Sequence, residues 1–61
     1  MSKLWMYEMW FDDIQVVLQN LDERIAATPG DLALREERRL ARGRRRHYIK
    51  LMNRERELVR A

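Results

Sequence analysis

Sixty-one residues make one domain at most, and the absence of cysteine leaves no disulfide to staple it. One histidine without cysteine cannot fill a tetrahedral zinc site, so neither metal nor cofactor is expected and stability must come from helix packing, completed by oligomerisation. The net charge of +3 is split unevenly between the two halves. Residues 1–31 set Lys3 and Arg24 against Glu8, Asp12, Asp13, Asp22, Glu23 and Asp31, a net −4. Residues 32–61 set ten arginines and Lys50 against Glu36, Glu37, Glu55 and Glu57, a net +7. An acidic arm joined to a basic arm implies a nucleic-acid partner or two arms that attract each other.

Lys3 and the apolar run Leu4–Phe11 do not read as a targeting signal, because Glu8 interrupts the run, Asp12 and Asp13 follow it, and no small-residue cleavage site appears. No run approaches the ~18 apolar residues of a membrane span. The expectation is a soluble cytoplasmic protein.

A first helix is predicted over about residues 3–27, with Ser2 as its N-cap. Leu4, Tyr7, Phe11, Ile14, Leu18, Leu21 and Ile25 recur at alternating spacings of three and four, the seam of a helix packed on a near-antiparallel neighbour. Trp5, Met6, Met9, Trp10, Val16 and Val17 widen the apolar surface beyond what one partner helix can cover. An uncovered patch of that kind marks a contact surface. Trp5, Met6, Met9, Trp10, Phe11 and Val17 are the candidate interface residues, with Met1 and Met52 as further adaptable packing.

Thr28-Pro29-Gly30-Asp31 predicts a turn over 28–31, with Thr28 as N-cap, Pro29 at the first helical position and Asp31 completing a capping box. So short a connection forces two antiparallel helices. The second helix is predicted over about residues 30–60, with a thinner stripe of Leu34, Leu40, Ala41, Tyr48, Leu51, Met52, Leu58 and Val59. Pairing about the turn sets Leu21 near Leu34, Leu18 near Glu37 and Leu40, Ile14 near Ala41, Tyr7 near Tyr48 and Leu4 near Met52. It also sets Phe11 near Arg44 in a cation–π contact. Gly43 is read as room for Trp10 to approach the backbone, at a cost in helix propensity.

Catalysis finds little support. Ser2 and Thr28 have capping explanations, and the adjacent pairs Asp12-Asp13 and Glu36-Glu37 point about a hundred degrees apart on a helix. Arg44 stands three residues before His47, where a di-iron Glu-x-x-His pair would need a glutamate. His47 reads as a flank residue of the helix–helix contact.

Arg38–Arg46 contains six arginines and no acid. On a helix Arg35, Arg38, Arg39, Arg42, Arg45 and Arg46 share one broad side, and their planar forks suit phosphate oxygens. Against this stands pairing within the fold, with Asp12 and Asp13 answering Arg42–Arg46 and Glu8 answering His47–Lys50.

The expected architecture is all-α: an antiparallel two-helix hairpin that dimerises into a four-helix bundle and engages RNA or DNA phosphates through those six arginines. The alternatives are a scaffold or accessory subunit, docking through its aromatic end with an acidic partner surface on Arg38–Arg46, and a designed or purely structural bundle without a ligand.

Overall fold

A computed structural model describes residues 2–60 as two helices, α1 (Leu4–Ala27) and α2 (Leu32–Arg60), packed against each other along their length; no strand occurs among the described residues. The hairpin is a rod 48 Å long and 14 × 11 Å across, with a radius of gyration of 14.4 Å. A compact domain of this length would have roughly 10.5 Å.

The seam predicted for α1 is the one the structure buries. Ile14 and Leu21 are buried, and Leu4, Tyr7, Phe11, Leu18 and Ile25 are half-buried. Ile14 and Leu21 join Leu34 and Ala41 in one core cluster, with Leu18, Ile25 and Tyr48 packed on it. The expected pairings Leu21 with Leu34 and Ile14 with Ala41 agree with that cluster. The N-cap position of α1 falls on Lys3 instead of the expected Ser2, although Ser2 Oγ accepts a hydrogen bond from the Leu4 N–H at 3.1 Å and so serves one of the free donors of the first turn.

On α2 the structure buries or half-buries Leu34, Ala41, Tyr48, Leu51 and Met52 of the expected stripe, but the rest of the buried line departs from expectation. The line runs Leu34, Arg38, Ala41, Arg45, Tyr48, Met52 and Glu55, all buried or half-buried at spacings of four and three. Leu40, Leu58 and Val59, placed in the stripe by their hydrophobicity, are exposed. Arginine explains the difference: its methylene stem packs along apolar surface while the guanidinium reaches water, so it can hold a seam position.

The turn also differs in detail. The Thr28 N–H donates to the Arg24 carbonyl at 2.9 Å, which ends α1, and the Asp31 N–H donates to the Thr28 carbonyl at 3.1 Å, which closes a turn over Pro29-Gly30. Asp31, rather than Thr28, caps α2. Its Oδ1 accepts from the N–H groups of Ala33 (3.0 Å) and Leu34 (3.2 Å), and the helix begins at Leu32 instead of about residue 30. A carboxylate serving two free donors at the positive end of a helix outweighs a hydroxyl that would need Gly30 inside the first turn.

Candidate nucleic-acid interface

Two antiparallel helices leave a groove on either flank of their seam, and the charge is sorted between them. On one flank, on the surface of α2 alone, Arg35, Arg38, Arg39, Arg42 and Arg46 line a hollow with Gly43. Arg38, Arg42 and Arg45 border Gln15, Gln19, Asp22 and Glu23 of α1 across the same flank. All six predicted arginines are therefore brought to one side of the rod. Arg44 lies on the other side, with Trp10, Asp13, Val17 and Tyr48.

Four of the six are engaged within the fold. Arg38 Nε donates to Asp22 Oδ1 at 2.5 Å. Arg45 Nε donates to Gln15 Oε1 at 2.6 Å, and its guanidinium lies 5.5 Å from the centroid of the Phe11 ring. Arg35 Nη2 donates to the Pro29 carbonyl at 2.8 Å. Arg39 forms a two-pronged pair with Glu36 on its own helix, Nη2 to Oε1 at 2.5 Å and Nε to Oε2 at 3.0 Å. That hydrogen bond holds the Glu36 carboxyl below its ordinary value and the Arg39 guanidinium above its own. Arg42 and Arg46 make no hydrogen bond or ion pair with the described residues and face solvent.

The partners differ from those read along the chain. Asp12 and Asp13 pair with no arginine among the described residues; Asp22 and Gln15 take those places. Glu8 lies 3.8 Å from Arg56 instead of facing His47–Lys50. The cation on Phe11 is Arg45, one residue from the expected Arg44, because Phe11 leans toward the basic flank. Leu18 leans the same way and lines the groove with Arg38 and Arg42, whereas Val17 is the residue that shares a groove with Glu37 and Leu40.

The six candidate interface residues are dispersed. Trp10 (37% exposed) and Val17 (44%) lie on the flank opposite the arginines, where Trp10 stands 5.6 Å from Tyr7 and 5.9 Å from Tyr48 between ring centroids. Trp5 (67%) and Met9 (49%) are more exposed. On a 3.6-residue helix both point away from α2, together with exposed Val16. Met6 is half-buried, and Phe11 belongs to the seam. Gly43 has no role in admitting Trp10, since a Cβ built there would meet nothing within 4 Å. It lies among arginines on the side away from α1.

No helix is long and apolar enough to cross a membrane, and no group of three potential metal ligands occurs among the described residues. No protein-family model matches the chain, and no curated protein or solved structure is significantly similar to it.

Proposed function

We propose that this chain is a small homo-oligomeric binding protein whose basic flank contacts RNA or DNA phosphates with little base specificity. One observation carries the reading: five arginines of α2 gather around one hollow, and two of them, Arg42 and Arg46, have no partner among the described residues, while Arg38 and Arg39 hold Asp22 and Glu36. Guanidinium groups spaced along a rod suit the regular charge of a nucleic-acid backbone, and neutralising phosphates releases condensed counterions. Arg35, Arg38, Arg39 and Arg45 add to the positive field while held in place, and a phosphate that draws one of them away must compete with its internal partner.

The test is binding of short labelled RNA and duplex DNA to nuclease-treated protein across a salt series. Sub-micromolar binding near physiological salt, with a steep dependence on salt, is the expected result. Arg42→Glu with Arg46→Glu should abolish it while leaving helicity intact. No binding even at low salt would refute the reading.

Exposed Trp5, Met9 and Val16 favour a second reading, in which the far side of α1 docks another protein and Arg38–Arg46 meets acidic residues on it. A cofactor or a catalytic role forms no part of either reading.

A further inference from the structure

The flank opposite the arginines is the least finished part of the molecule. Among the described residues no side chain in the core is wholly enclosed, and only Ile14, Leu21, Leu34, Ala41 and Met52 are buried. Ile14, Leu21 and Ala41 still line the open groove of that flank, beside exposed Val17 and Leu40. Trp10 and Tyr48 continue the apolar floor toward the other end. A helical layer is stable when its apolar side is laid on a second layer, and a single hairpin supplies only one.

We infer that a second copy of this chain covers this flank, centred on Val17 and Leu40. The inference rests on the homo-oligomeric part of the function proposed above and is independent of the phosphate-binding part. Two observations choose a second copy as the occupant.

The first is area. The chain exposes 5103 Å², whereas a compact monomer of its 7.5 kDa exposes about 4,250 Å². The excess, about 850 Å², belongs to the whole 48 Å rod, and it is of the size, ~800 Å², that each partner contributes to a standard-sized interface.

The second is charge. The flank carries Asp13 and Glu37 as well as Arg44, and a two-fold interface must be complementary to itself. With the two-fold axis perpendicular to the rod at Leu40, Glu37 lies about 4.5 Å to one side of the axis and Arg44 about 6 Å to the other, at 1.5 Å per residue. Each Arg44 then comes level with Glu37 of the other copy. With the axis along the rod, α1 of one copy meets α2 of the other at equal height. The core pairing of Ile14 with Ala41 then sets Arg44 about 3 Å along the rod from the height of Asp13, at 1.5 Å per residue. Either arrangement gives Arg44 a carboxylate.

The far side of α1, with Trp5, Met9 and Val16, does not meet these conditions. It is formed by one helix alone and touches none of the core. The basic flank is excluded by its charge, since two copies would bring arginines against arginines. Once paired through Val17 and Leu40, the dimer presents its two basic flanks outward, on opposite sides.

Sedimentation equilibrium of the full chain without nucleic acid, at micromolar concentration, tests the inference. Twice the chain mass is expected. Val17→Glu and Leu40→Glu should each weaken association at least tenfold, while Met9→Glu should leave it unchanged. Arg44→Glu, at an exposed position where folding does not depend on burial, should weaken it as well. Adding Glu37→Arg or Asp13→Arg to that variant should restore the dimer and report which axis is used. A folded monomer, an assembly of any other order, a dimer indifferent to Val17 and Leu40, or failure of both second substitutions to restore association would overturn the inference. Arg42→Glu with Arg46→Glu should still dimerise, so loss of nucleic-acid binding and loss of the dimer are separate results.

Discussion

Glu55 Oε1 accepts a hydrogen bond from the backbone N–H of Lys3 at 3.0 Å, across 52 residues of sequence. The last turns of α2 thereby cap the first turn of α1, and the open end of the hairpin is tied shut. Lys3 is one of the donors a helix start leaves unsatisfied, and a carboxylate there also meets the positive end of the helix dipole. Glu55→Ala should cost about 1 kcal/mol, by analogy with local caps. In a domain of this size that lowers Tm by roughly 4–8 °C. Glu55→Gln keeps an acceptor and should lose about half as much. Equal melting of all three proteins by circular dichroism would show that the contact contributes nothing.

At the closed end, Asp31 holds the N–H groups of Ala33 and Leu34. Asp31→Ala should destabilise the fold by about 1 kcal/mol, while Thr28→Ala, whose hydroxyl holds no N–H of α2, should cost a few tenths. Urea melts of the two variants measure the difference directly. The reverse order would return the cap to Thr28.

Gly43 stands in mid-helix with open space where a Cβ would go and without a positive φ. Gly43→Ala should therefore stabilise the protein by about 1 kcal/mol, seen as a higher Tm. A fall in stability would mean that close approach to Gly43 matters in the assembled protein.

Arg45 combines a hydrogen bond to Gln15 with a seat over the Phe11 ring. Lysine keeps the charge but loses the planar fork. Arg45→Lys should lower stability by roughly 0.5–1 kcal/mol. The salt dependence of nucleic-acid binding should stay unchanged, because Arg45 is engaged by the fold. A change in that dependence with stability intact would assign Arg45 to the ligand.

The Glu36–Arg39 pair lies at the surface, and its effect on stability has a defined direction with pH. The Glu36 carboxyl is held below its ordinary value, so the pair supports α2 above that value and is lost as pH falls through the lowered one. Helicity of the wild type should fall in that acid range more than helicity of Glu36→Gln, which lacks the titrating group. Superimposable acid titrations would remove the pair from the account.

The sequence by itself determined the two helices, the turn between them and the seam of α1. These are local properties: apolar residues repeating every three and four positions have one face to bury, and Pro29 between Thr28 and Gly30 stops one helix before the next begins. The arginine side of α2 was legible for the same reason, since six arginines within twelve positions share one arc of any helix.

Only the tertiary structure decided how the second helix turns that arc toward the first. Arg38, Arg45 and Glu55 hold seam positions that hydrophobicity assigns to Leu40 and Leu58, because a long charged side chain can bury its stem and keep its head in water. With charged side chains at those positions, the partners beside the core differ from the expected ones. Asp22 and Gln15 answer the arginines in place of Asp12 and Asp13, Phe11 receives Arg45 in place of Arg44, and Val17 with Leu40 is left on the open flank. The pairings of Leu21 with Leu34 and Ile14 with Ala41 agree with the apolar spacing, whereas the contacts beside them depend on which flank each neighbouring side chain takes, since neighbouring helical positions point about a hundred degrees apart.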